Sequence, residues 1–311
     1  VKEARIGFVG AGVVGTTLAR AMHSRAYRVV AVSSRSQSSA RRLAAQVPGC
    51  ESAASSQEVA DACDVLFLTV PDDAIADVAA SVRWRPDQAV VHCSGASSLR
   101  ALAPARGQGA MVGAFHPFQT FADPDRAQTA LEGVGFAVEA EPPLRQGLEE
   151  LAVALGGWPI HLDPQDRVLY HASAVVACGF LVTLVKLAAD LWGDFAGDGR
   201  QRTQEGFRAI MPLVRSTLDG LEGAGVVGAL TGPFVRGDLG TVESHLTALE
   251  VRAPGFLPLY CHLALAELPL ARAKGGLTPE REGQIRGLLH QRLSRTQETA
   301  AGPEASSGSA R

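Results

Sequence analysis

Two sets of residues in this sequence could do chemistry. The first is the hexapeptide Gly10-Ala11-Gly12-Val13-Val14-Gly15, which follows a short apolar run and precedes a helical pattern. That spacing suits a phosphate. Gly10 allows a tight turn, Gly12 lets the backbone approach a pyrophosphate, and Gly15 lets the helix pack closely on the strand. The helix N-terminus then offers unpaired N–H groups to anionic oxygens. All six residues are expected to hold a dinucleotide; the alternative is a plain turn between strand and helix. Ser33-Ser34-Arg35-Ser36 ends the second apolar run and contains no carboxylate. An NAD site usually places Asp or Glu there for the ribose 2′-OH. Hydroxyls and a planar guanidinium suit a 2′-phosphate instead, so the expected cofactor is NADP(H). Arg41 and Arg42 are nearby candidates, and a solvated basic loop is the alternative. The same hexapeptide recurs at Gly223–Gly228, after a helical stretch and with no strand before it. That copy reads as an interhelical turn.

The second set lies downstream. Val70-Pro71 and Ser94-Gly95 each follow an apolar run, where the carboxyl ends of parallel strands face a ligand crevice. Ser94 and Gly95 are expected to border the nicotinamide. His92 and Cys93 are adjacent in a strand and point to opposite faces, so they do not read as a nucleophile pair. His116 is either a substrate contact or a packed loop histidine. Arg167 and His171 are four residues apart and share one helix face. His171 is expected to give a proton to a developing alkoxide or amine. Arg167 stays charged and so reads as an anchor for an anionic substrate group. The alternative is a surface arginine and a satisfied core histidine. Thr231, Arg236, Asp238 and His245 form a further group: Asp238 reads as a helix cap, and Arg236 and His245 stay open as substrate candidates. No His/Asp/Glu cluster has metal-ligand spacing, so no metal is expected.

The elements that must position these residues follow from pattern. Apolar runs at Arg5–Val9, Arg28–Ser33, Asp64–Val70, Ala89–Cys93, Met111–Phe115, Gly135–Glu139 and Pro159–His161 alternate with helical segments. Continuous apolar strands alternating with helices predict a parallel, doubly wound α/β sheet, an N-terminal Rossmann domain over 1–162. Beyond Asp163 the periodicity is helical. Asp163-Pro164 starts a helix running to near Trp192, and an all-α C-terminal domain is expected over 163–295. The Ala/Ser/Gly-rich tail, 296–311, reads as disordered.

Bulk properties narrow the function. A net charge of −3 does not argue for a nucleic-acid or anionic-membrane surface. No apolar run reaches the roughly 18–20 residues of a membrane span; the longest, Ala172–Val185, is interrupted by Ser173, Gly179 and Thr183. The N-terminus lacks a cleavage-site pattern. Five scattered cysteines without CxxC spacing read as reduced thiols in a cytoplasmic protein.

Several segments together resemble a known family. GFVGAGVVG (7–15), VPDDAI (70–75), HCSGASS (92–98), AFHPFQTF (114–121), YHASAV (170–175), ALTGPFVRGD (229–238) and the following His245-Leu246 are similar to Rossmann-like proteins with a C-terminal DUF2520 domain. These are distantly similar to pyrroline-5-carboxylate reductase, F420-dependent NADP reductase and the β-hydroxyacid dehydrogenases. The resemblance implies an NADP-type Rossmann domain, a helical second domain and a homodimer formed through the helices. It supplies no substrate. Two positions depart from the pattern. Arg167 stands where the family usually has lysine ahead of the YH motif, and Cys178-Gly179 where members often have Ser-Asn. β-Hydroxyacid dehydrogenases carry Lys-xxx-Asn on the equivalent helix, and this chain has Arg167-xxx-His171. The expected function is an NADP-dependent oxidoreductase moving hydride to or from a small C=O or C=N substrate, an anionic one if Arg167 anchors it. Hydride transfer between F420 and NADP, or a non-enzymatic NADP(H) sensor, are the alternatives.

Overall fold

The computed structural model describes residues 1–121, 131–193 and 199–301. Contacts divide them into two compact units, Val1–Phe180 and Leu181 onward.

The first unit is built on an eight-stranded sheet. In chain order it contains β1 (Arg5–Val9), α1 (Val13–Ser24), β2 (Arg28–Ser33), α2 (Gln37–Gln46), β3 (Glu51–Ser52), α3 (Ser56–Ala62), β4 (Val65–Leu68), α4 (Ile75–Ser81) and β5 (Ala89–His92). Then come α5 (Ala103–Gly107), β6 (Met111–Pro117), β7 (Gly135–Ala140), α6 (Leu144–Ala154), β8 (Trp158–His161) and α7 (Arg167–Val175). The strand order is β3-β2-β1-β4-β5-β6-β7-β8. The order reverses between β1 and β4, which opens a crevice at their carboxyl ends.

Both faces of the sheet are covered, which explains the unbroken apolar strands. One face buries Phe8, Phe67, Phe115 and Phe136 with Leu18, Met22 and Leu148. The phenyl rings follow one another across the sheet, with centroids 5.4, 6.1 and 4.7 Å apart. Each buried phenyl contributes roughly 1.5–3 kcal/mol relative to exposure. The opposite face buries Leu66, Leu68, Val90 and Val112 with Val59, Ile75 and Leu102. One expectation is corrected here. β7 pairs with β6 antiparallel, with Phe115 opposite Val138, so the sheet is mixed. A strand buried on both faces reads the same in either direction, so apolar pattern could not reveal the reversal.

The unit runs to Phe180, past the boundary at 162 read from the change in periodicity. α7 is held to it by Arg167, which donates to Glu139 of β7 and to the Ser94 carbonyl. A π-helical turn, Val176–Phe180, follows α7.

The second unit is all helical: α8 (Leu181–Gly193), α9 (Gly199–Ala229), α10 (Pro233–Arg236), α11 (Leu239–Arg252), α12 (Leu257–Lys274) and α13 (Pro279–Ala301). Its core joins Phe234, Val242, Leu246, Leu257, Cys261, Leu268, Ile285 and Leu289. Asp238 caps α11, accepting from the Thr241 backbone N–H at 3.1 Å and its hydroxyl at 2.7 Å. The second glycine hexapeptide lies late in α9, where Gly225 at φ +70 interrupts the helical backbone. It is a break between helical segments and no strand precedes it. α13 continues through the start of the expected tail to Ala301; residues 302–311 lie outside those described.

The helical run Pro164–Gly193 is, by length and composition, apolar enough to cross a membrane. This corrects the expectation that no segment reaches that length. The polar residues within Ala172–Val185 are too few to lower its mean hydropathy.

Candidate functional site

A cleft of about 640 Å³ opens at the carboxyl ends of β1, β2 and β4. Gly10, Ala11, Gly12, Val13, Val14, Ser33, Ser34, Arg35, Val70 and Pro71, all expected from sequence, line it. Ser39, Ser55 and Ser56 line it too and were not singled out. The glycines divide by role. Gly10 has φ +112, and a Cβ on it would lie 2.4 Å from the Thr69 carbonyl oxygen. A Cβ on Gly15 would lie 2.3 Å from the Gly10 carbonyl oxygen. These two let α1 close onto the loop, which Thr69 fastens by donating its hydroxyl to the Gly10 carbonyl at 2.7 Å. Gly12 is different: beyond its own chain neighbours, no atom of the described residues lies within 4 Å of where its Cβ would stand. It is the N-cap of α1, without a side-chain cap and without an acidic residue in the first turn. That is an open helix N-terminus with room for an anion.

The end of β2 completes the cleft. The Ser33 hydroxyl is buried and has no hydrogen-bond partner among the described residues. Arg35 is exposed at the rim. Arg41 and Arg42 do not line the cleft; Arg42 donates to Ser39 at 3.3 Å. A phosphate on the ribose of a dinucleotide would satisfy both the orphaned hydroxyl and the guanidinium. The residues present therefore fit NADP(H).

A second cluster lies along the same sheet edge, at the ends of β5 and β6. His92 is fully buried; its Nδ1 accepts from the Ser94 N–H at 3.3 Å and its Nε2 has no partner among the described residues. Burial, then the Arg167 and His116 charges, lower its pKa to about 4. The Ser94 hydroxyl accepts from the Ala96 and Ser97 N–H groups, which shapes the turn carrying Gly95. A Cβ on Gly95 would lie 2.8 Å from His116 Nε2 and 3.0 Å from His171 Nδ1. Two imidazoles thus converge over a residue that must lack a side chain. His116 Nδ1 is hydrogen-bonded to the Tyr170 hydroxyl at 2.7 Å. The rings of Tyr170 and His116 meet edge to face, and Phe118 packs on Tyr170. His116 is held near pKa 4 by burial first, then by His171 and Arg167, with Asp72 opposing. Asp72 directly follows Pro71 of the cleft wall, so the cluster and the cleft are neighbours. Burial pushes the Tyr170 phenol well above its ordinary value, so it is protonated. Cys93 is buried and its thiol is also pushed up, which leaves no thiolate for nucleophilic chemistry.

Arg167 is 2% exposed and engaged internally. Its guanidinium pairs with Glu139 and reaches the Ser94 carbonyl, so it braces the turn under the two imidazoles. His171 Nδ1 is buried and unpartnered among the described residues. The structure brings together Ser94, Gly95, His116, Arg167 and His171, which the sequence raised as separate candidates, and adds His92, Glu139 and Tyr170 as their partners. Arg236 and His245 belong to the second unit. Arg236 ends α10 and is exposed; His245 bonds the Tyr260 hydroxyl at 2.9 Å beside an apolar hollow. Among the described residues no group of three or more His, Cys, Asp or Glu could hold a metal.

A family model described as a Rossmann-like domain matches residues 1–117. One described as a domain of unknown function, DUF2520, matches residues 134–267. The chain thus matches a Rossmann-like domain model and, after it, a DUF2520 domain model. The glycine loop and Ser33–Arg35 fall in the first matched region, and Arg167 and His171 fall in the second. No curated protein matches. Among solved structures, a candidate NADP oxidoreductase from Bacteroides fragilis is 26% identical, with 86% of this chain and 99% of that chain covered and a TM-score of 0.69. Protein TM1727 from Thermotoga maritima is 24% identical, with the same coverage and a TM-score of 0.70. The 1-pyrroline-5-carboxylate reductase of Streptococcus pyogenes is 15% identical over 94% of this chain and 100% of that chain, with a TM-score of 0.56, and shares the fold.

Proposed function

We propose that this chain is an NADP(H)-dependent oxidoreductase that carries hydride to or from a carbonyl or imine carbon of a small molecule. The observation that carries the reading is the open N-terminus of α1 at Gly12, facing a carboxylate-free β2 end with the orphaned Ser33 hydroxyl and Arg35. The similarity to the Bacteroides fragilis protein supports it. When bound, the nicotinamide nucleotide supplies or accepts the hydride. The chain does the rest. Gly10 to Gly15 shape and present the pyrophosphate cradle. Ser33, Ser34 and Arg35 hold the 2′-phosphate, with Ser39, Ser55 and Ser56 adding hydroxyls. Val70, Pro71, Ser94 and Gly95 border the reacting ring. His171 gives a proton to the oxygen or nitrogen as charge develops there. Arg167 acts as a positioning residue, since its charge is already met by Glu139. Recognition of an anionic substrate would then fall to another cation.

The helices are proposed to form a homodimer. In the second unit Val182, Phe207 and Leu213 are each at least half exposed. α8 and α9 also enclose an apolar hollow of about 840 Å³. A second copy would cover such a surface without a membrane. The five cysteines are free, in keeping with a cytoplasmic location.

NADPH oxidation followed by absorbance, against a panel of ketones, keto acids and cyclic imines, tests the reading. Turnover by the wild-type chain should fall by about 100-fold or more in His171→Ala. Full turnover in that variant would remove the proton-donor role.

A further inference from the structure

Tyr170 and His116 form a pair whose proton positions follow from acid strength. Of the two groups, phenol is the stronger acid and a neutral imidazole nitrogen the stronger base. At 2.7 Å the better matched arrangement has the Tyr170 hydroxyl donating to His116 Nδ1. An imidazole that accepts at Nδ1 carries its own proton at Nε2. That Nε2 has no hydrogen-bond partner among the described residues, and it lies over Gly95 beside His171 Nδ1.

We infer that Tyr170 fixes His116 as a neutral Nε2–H donor that polarises the substrate oxygen or nitrogen while His171 supplies the proton. The inference rests on the oxidoreductase reading for its substrate, but the tautomer itself does not. Every charged or titratable group facing His116 favours the neutral ring except one. His171, His92 and Arg167 disfavour a second positive charge, and only Asp72 favours it. Both imidazole nitrogens lie within 3.0 Å of where a Gly95 Cβ would stand, so the two rings converge on the same face of Gly95. A donor already in place when negative charge develops needs no reorganisation, which is what makes such a group effective. Tyr170 never touches the substrate here; it acts through His116.

The experiment is nitrogen NMR of the full-length, isotope-labelled protein at neutral pH, with His116 signals assigned by their loss in His116→Gln. The wild-type chain should show one neutral tautomer, with Nε2 protonated and Nδ1 not. Tyr170→Phe should move both nitrogens toward the averaged values of a mixed tautomer. A protonated Nδ1 in the wild type, an imidazolium, or an unchanged tautomer in Tyr170→Phe would each overturn the inference. NADPH calorimetry on the same samples separates this from failure of the cofactor reading. In turnover with NADPH, Tyr170→Phe should lower kcat about tenfold or more with little change in KM, and His116→Gln about 100-fold. An unchanged kcat in both would also overturn the donor role.

Discussion

Burial of His92 and His116 makes the molecule sensitive to acid. Each has a folded-state pKa of about 4 against an ordinary 6.5, with burial the main cause. The unfolded chain therefore binds more protons than the folded one between those values. Stability is full above about pH 6.5 and falls as pH drops toward 4, by about 3 kcal/mol for the fully buried His92. Denaturant midpoints across that range should show the slope, and His92→Asn should flatten it while keeping an acceptor for the Ser94 N–H. The ion pair beneath them gives a second expectation. Glu139→Ala leaves the Arg167 guanidinium buried without a counter-charge, which should cost about 3–5 kcal/mol in chemical denaturation. A loss below about 1 kcal/mol would mean that Arg167 is not locked by Glu139. These partners were hidden in the sequence for a physical reason. His92, Glu139 and Arg167 are far apart along the chain and meet only because β7 reverses beside β6. Nothing in a one-dimensional pattern distinguishes an arginine that will meet Glu139 from one left for a substrate.

The β1–α1 element was legible, because its chemistry is local. The loop's glycines, the strand before it and the helix after it lie within one short stretch, and their spacing carries the geometry. The structure adds a distinction that the motif does not contain. Gly15 and Gly12 are both glycines of the fingerprint, but only Gly15 is packed against protein. Gly15→Ala should destabilise the fold by roughly 1–3 kcal/mol through its clash with the Gly10 carbonyl. Gly12→Ala should leave the thermal midpoint within a degree or two of wild type and weaken NADPH binding about tenfold or more. Equal effects of both changes on stability would mean that the Gly12 space belongs to the protein and not to a ligand. The hexapeptide inside α9 has the same letters and none of this geometry, since it sits between helical segments.

At the scale of the molecule, the sequence separated an α/β part from a helical part but placed the change where the periodicity changes. Compactness places it later, because α7 is tied to the first unit by Arg167. The proposed homodimer predicts that light scattering gives twice the chain mass. A double change, Val182→Glu with Phe207→Glu, should shift it to one chain mass. Calorimetric titration of the wild-type chain and of Arg35→Ala with NADPH and NADH tests the cofactor assignment. The wild type should bind NADPH at least about tenfold more tightly than NADH, and Arg35→Ala should lose most of that preference while keeping its NADH affinity. Equal affinity for the two nucleotides in the wild type, or binding of neither, would contradict it.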